Sequence, residues 1–183
     1  FQSPGTQLSQ VTATVFEEVA FGPMNFALAR DEVASRTWEA LATLGIEDLA
    51  ERDPRRLSGG QQQLLAIAGL LAMRPAHLVL DEPTAQLDPE GTHLVTDALA
   101  RLAAGGTAIL VAEQKTDVLA RLASRIVALE HGRVVMDGPT DAVLGDPRVA
   151  ELGVTAPAAV RLRQAATGAG LDARRLDEAL AGA

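Results

Sequence analysis

Two strand-length segments with apolar centres constrain this chain most: HLVLD at His77–Asp81 and TAILVA at Thr107–Ala112. A stretch at helical spacing, Glu90 to Ala103, lies between them and closes at Gly105-Gly106. Strands that are apolar on both sides and joined through helices belong to a mostly parallel sheet covered on both faces. The expectation is therefore an α/β fold. Further on, RIVALE and RVVMD flank His131-Gly132, a pair suited to a tight hairpin, which is expected to add antiparallel strands at one edge of that sheet.

Helices are expected around this core. Val33, Thr37, Leu41 and Leu44 recur at helical spacing, with Asp31 at the N-cap or first turn and Gly45 as the stop. A second short helix is expected over Glu47 to Arg52, a long one over Gln61 to Met73, and another over Lys115 to Leu122. Beyond Asp146 the chain reads as a helical tail jointed at Pro147 and Pro157, with weak amphipathicity over Leu171 to Leu180. Three divisions follow: 1–56, opening as a loop and becoming helical; 57–145, the alternating core; and 146–183, the helical extension.

Composition narrows the classes. The net charge is −8, from 24 acidic against 16 basic residues, which argues against nucleic acid as a partner. With no cysteine, disulfides and thiolate metal sites are excluded. The longest apolar run, Leu64 to Met73, is well short of the roughly 20 residues that span a bilayer.

Two segments carry chemistry. In Leu57-Ser58-Gly59-Gly60-Gln61, Ser58 suits an N-cap, and the two glycines allow a phosphate to approach backbone amides at a helix N-terminus. A Ser-Gly-Gly turn by itself is also an ordinary start to a helix. In Leu78-Val79-Leu80-Asp81-Glu82-Pro83-Thr84 a strand ends in adjacent carboxylates, at the end of a parallel strand where ligands bind. The first suits Mg²⁺ and the second can orient and deprotonate water. Alone, that pair is equally a solvated strand end. The glycine motif about twenty residues upstream favours the functional reading.

LSGGQ followed by LVLDEPTAQLDP resembles the nucleotide-binding subunit of an ABC transporter. The resemblance implies a P-loop NTPase-type sheet with a helical subdomain, ATP and Mg²⁺ as cofactors, and ATPase activity. Ser58, Gly59 and Gly60, with Gln61, would contact the γ-phosphate of ATP held by a second ABC ATPase subunit. Asp81 would be the Walker B magnesium residue, Glu82 the catalytic base, and Asp88 the D-loop aspartate. Gln2 would be the Q-loop glutamine, sensing Mg²⁺ and the attacking water. Phe1-Gln2, Pro4, Gln7, Thr14-Val15, EEVAFGP at Glu17 to Pro23, Asn25, and ELGV at Glu151 to Val154 with Pro157 are similar to energy-coupling factor importers of the cobalt and nickel type. That implies uptake of a vitamin or transition-metal ion through a transmembrane partner, with this subunit peripheral on the cytoplasmic face of the membrane. Phe21, Met24 and Phe26 would either pack in the core or border the groove that receives that partner.

The sequence departs from the family in places. G-x-x-x-x-G-K-[ST] is absent, and the single lysine, Lys115, has no glycines around it. The family's phosphate loop lies upstream of the Q-loop, so the start at Phe1-Gln2-Ser3 reads as the edge of a fragment, one expected not to bind ATP usefully alone. Gln114 stands where the switch histidine is usual, and none of His77, His93 or His131 replaces it. A neutral amide in place of an imidazolium loses about 1–2 kcal/mol, or roughly ten-fold in rate. Gln86 replaces the common D-loop glycine, and Leu64 the arginine that usually follows the signature. Two alternatives stay open: a non-hydrolysing partner lending its signature in trans, and a soluble ABC protein.

Overall fold

The computed structural model describes residues 8–9 and 11–169, which fall into two compact units divided between Glu113 and Gln114. Gln2 and the stretch Leu171 to Leu180 lie outside the described residues.

The first unit begins with α1 (Val15–Asn25), α2 (Arg30–Leu44), two 3-10 turns (Glu47–Leu49 and Pro54–Arg56) and α3 (Gly59–Ala72). Helix α1 starts on a capping box, in which Thr14 accepts from the Glu17 amide and the Glu17 carboxylate accepts from the Thr14 amide. Its first turn is also bonded from outside, because Val15 N donates to Arg52 O and Phe16 N to Ala50 O, each at 2.9 Å. These bonds satisfy amides that a helix cannot satisfy itself. Asp31 lies in the first turn of α2, behind Ala29 at the N-cap, and Gly45 ends the helix in the left-handed region at φ 72°. The three helices pack on one another. Val15, Val19, Leu41, Leu44, Leu64 and Leu65 are all but fully buried, and Phe16 meets Trp38 with ring centroids 5.2 Å apart.

Strand β1 (His77–Asp81), helix α4 (Pro89–Ala104) and strand β2 (Ala108–Ala112) complete this unit. The strands pair in parallel, from His77↔Ala108 to Asp81↔Ala112. Leu78 and Leu80 are buried on one face. The other face is open: Val79 is 59% exposed and its register partner Leu110 is 67% exposed. The parallel pair joined through a helix is the α/β arrangement expected from the two apolar segments. The described helices cover one side only, and the apolar side chains on the other side have no cover among the described residues.

The second unit holds α5 (Thr116–Leu122), β3 (Arg125–Glu130), β4 (Arg133–Pro139), α6 (Thr140–Leu144), α7 (Arg148–Glu151) and α8 (Ala158–Gly168). The hairpin turns at His131 (φ 48°) and Gly132 (φ 75°), both left-handed as a two-residue type I′ turn requires. It forms a two-stranded sheet of its own instead of extending the parallel pair, which corrects the expected edge pairing. The reason lies in its packing: Ile126 closes a small core with Val143, Leu144 and Val149, against Leu119, Ala123 and Met136. The hairpin is therefore anchored on α5 and α6. The start of α8 and the backbone just before it are tied to α5, because Thr116 Oγ1 donates to Thr155 O at 2.6 Å and Ala158 N donates to Asp117 Oδ1 at 2.8 Å.

Candidate functional site

Ser58 caps α3 through a second capping box. Its Oγ accepts from the Gln61 amide at 3.3 Å, and Gln61 Oε1 accepts from the Ser58 amide at 3.0 Å. Gln61 is thereby committed to the backbone. Ser58 and Gly59 are exposed, and they present the amino end of a fourteen-residue helix to solvent. Such an end carries roughly half a positive charge and suits an anion. Just upstream, Asp53 caps the Pro54–Arg56 turn and accepts from the Arg55 guanidinium at 2.8 Å. That side-chain bond holds the Asp53 carboxyl down to about 2.

Gly60 has a different task from its neighbour. It is buried, and a Cβ on it would lie 2.7 Å from Gly91 Cα. Gly91 sits in the first turn of α4, where its amide donates to Asp88 Oδ1 at 2.7 Å. A Cβ on Gly59 would meet Leu87 Cδ2 at 3.4 Å. The structure therefore brings 58–60 and 87–91 together, so that the capped ends of α3 and α4 touch through glycine backbone. Leu64, the departure noted after the signature, is fully buried and serves the core.

The paired carboxylates end β1. Asp81 is exposed and lies in register with Ala112. Glu82 takes a left-handed backbone, φ 47°, which is uncommon for a residue with a Cβ. Its amide donates to Ala112 O at 2.7 Å. Thr84 is fully buried, and its hydroxyl and amide both donate to Glu113 Oε2, at 2.7 and 3.3 Å. Ala85 N then donates to Glu82 O, folding the chain toward Asp88. Among the described residues no group of three or more His, Cys, Asp or Glu side chains is arranged to hold a metal. One exposed strand-end carboxylate does suit Mg²⁺ that takes its other ligands from phosphates and water.

Gln114 opens the second unit and is exposed. His77, His93 and His131 are exposed as well, at a strand start, on a helix and in the hairpin turn. Sequence reasoning missed Gly91 and Glu113, whose partners are distant in sequence, and also α1, although its T-x-x-E start at Thr14–Glu17 was readable.

A groove of 220 Å³ runs beside α1 and α3, lined by Leu8, Glu18, Phe21, Gly22, Leu70 and Met73 among others. Glu18 is buried at its wall and accepts from the Ser9 hydroxyl at 2.7 Å and from Thr12 Oγ1. Phe21, Met24 and Phe26 are 45%, 63% and 66% exposed, which removes core packing as their role within the described residues.

The family profile for the ABC transporter matches residues 2–85. The cobalt import ATP-binding protein CbiO of Rhodobacter capsulatus is 46% identical over 134 residues, covering 73% of this chain and 48% of its own. The energy-coupling factor transporter ATP-binding protein EcfA of Carboxydothermus hydrogenoformans is 41% identical over 162 residues, covering 88% of this chain and 59% of its own. Among solved structures, cbiO1 from Clostridium perfringens, part of the ABC transporter complex cbiONQ, is similar at TM-score 0.75 and 34% identity, over 90% of this chain and 65% of its own. The chain belongs to the ATP-binding proteins of ABC transporters, of the energy-coupling factor type. It spans about half the length of these curated relatives.

Proposed function

We propose that the intact protein is the ATP-hydrolysing subunit of an energy-coupling factor importer, peripheral on the cytoplasmic face of the membrane. It drives uptake of a vitamin or transition-metal ion through a transmembrane partner, and it works paired with a second ATPase subunit. The observation that carries this reading is the pairing, in one compact unit, of an exposed glycine-started helix end with strand-end carboxylates.

In this reading Ser58, Gly59 and Gly60 face the γ-phosphate of ATP held by the second subunit, with Gln61 keeping Ser58 in place. Asp81 holds Mg²⁺, which when bound neutralises phosphate charge. Glu82 accepts a proton from the attacking water, and Gln114 and Gln2 donate amide hydrogens toward the phosphate and water. Asp88 starts α4 and reaches across the subunit interface.

Phe21, Met24 and Phe26 supply the apolar surface for the membrane partner beside the α1–α3 groove. With no other cysteine in this chain, Met24→Cys in the intact complex should crosslink to the transmembrane subunit. Capture from Ala104→Cys, on the exposed end of α4, but not from position 24 would overturn the docking assignment.

The alternative, a partner that lends only its signature, draws on Gln114. A neutral amide stabilises developing phosphate charge less than an imidazolium does. If the subunit hydrolyses ATP, Gln114→His should raise turnover of the intact complex, by about ten-fold at most. No ATP hydrolysis above background at this subunit's own site would favour the alternative. Lower turnover on introducing histidine would show a site built around glutamine.

A further inference from the structure

The turn that carries Glu82 is held from the end of β2 at two successive residues. On one side of Glu82, its own amide donates to Ala112 O at 2.7 Å. On the other, Glu113 Oε2 accepts from both the hydroxyl and the amide of Thr84, at 2.7 and 3.3 Å. Thr84 has no exposed surface, so its hydroxyl cannot exchange this contact for bulk water. A carboxylate acceptor makes such bonds shorter and about twice as strong as neutral ones. Between the two holds lies Glu82 at φ 47°, a backbone conformation that persists only where its surroundings over-determine it. Every bond named here lies within the first compact unit.

The functional reading uses Glu82 and leaves Glu113 without a task. We propose that Glu113 is a positioning residue. Its carboxylate clamps Thr84, fixes the strained turn on its carboxyl side, and so holds Glu82 aimed at the attacking water and 85–88 at the start of α4. Glu113 touches neither substrate nor Mg²⁺ in this scheme; it acts through Thr84. The inference rests on the ATPase reading of Glu82 given above.

The test uses the intact complex with Glu113→Gln, Thr84→Val and their combination, and with Thr84→Ser as the conservative variant. Valine keeps the shape of threonine and removes the hydroxyl; serine keeps the hydroxyl. Loss of one charge-assisted bond is expected to lower kcat about ten-fold in each single variant. KM for ATP should stay within about two-fold, because the clamp serves the transition state. The double variant should be no slower than the slower single, since both weaken the same hydroxyl–carboxylate bond, and Thr84→Ser should turn over like the parent. Additive losses in the double variant, or a raised KM with kcat unchanged, overturn the proposal.

A second measurement does not depend on turnover. Hydrogen exchange on the nucleotide-free protein should show the Thr84 amide exchanging about ten-fold faster in Glu113→Gln, with the amides of Leu64 to Ala68 unchanged. Unchanged exchange at Thr84 overturns the clamp even if activity falls. A parent complex that hydrolyses no ATP refutes the functional reading instead, while the exchange result still decides whether Glu113 holds the turn.

Discussion

Glu82→Gln is expected to lower ATP turnover by the intact complex about 10²–10⁴-fold, the range that one general base supplies. Nucleotide affinity should change little. The substitution keeps size and shape, so the backbone hold from Ala112 O is retained, and the phosphate contacts proposed for Ser58, Gly59 and Gly60 are untouched. What is lost is the group that the scheme assigns to accept a proton from water. Paired measurements of kcat and of equilibrium ATP binding separate the outcomes. Full turnover in Glu82→Gln would remove Glu82 as the base, whereas a matching loss of binding would assign it to holding nucleotide. The left-handed backbone adds an internal control. Glu82→Gly relieves strain of about 1 kcal/mol, so it should abolish turnover without lowering stability.

Gly60→Ala is the substitution expected to damage the structure most. Its new methyl would lie 2.7 Å from Gly91 Cα, and that neighbour is backbone, which cannot swing aside. Overpacking of this kind costs about 1–3 kcal/mol. Separating the α3 and α4 ends to make room also moves Ser58 away from 87–91, so turnover should fall with stability. Gly91→Ala meets Asp88 Oδ1 at 3.0 Å and Gly60 Cα at 3.3 Å, a milder conflict. Gly69→Ala has nothing within 4 Å and lies inside α3, so it should stabilise by about 0.5–1 kcal/mol. Urea denaturation of the intact protein ranks the three. A Gly60→Ala variant as stable as Gly69→Ala would mean that the helix ends do not touch as described.

Where local chemistry decides the structure, the sequence could be read directly. HLVLD is the strand His77–Asp81, Ser58 caps its helix, and His131-Gly132 makes the turn. Each depends on residues adjacent in the chain. Helix α1 was harder, because Pro23 lies inside it and its apolar residues do not form a clean stripe. Gly60 illustrates a deeper limit. Its flexibility suggested room for a phosphate, yet the atom that forbids a side chain belongs to Gly91, thirty-one positions on. Thr84 and Glu113 are likewise joined across twenty-nine positions by a fold that neither residue announces.

The crossover through α4 has a bearing on the order in which these elements come together. Helices α1 to α3 bury their apolar residues among neighbours close in sequence, so they can collapse early and locally. The pairing of β1 with β2 must wait for the crossover through α4 to close. The Gly60–Gly91 contact, which joins α3 to α4 across thirty-one positions, likewise closes after the local helical collapse.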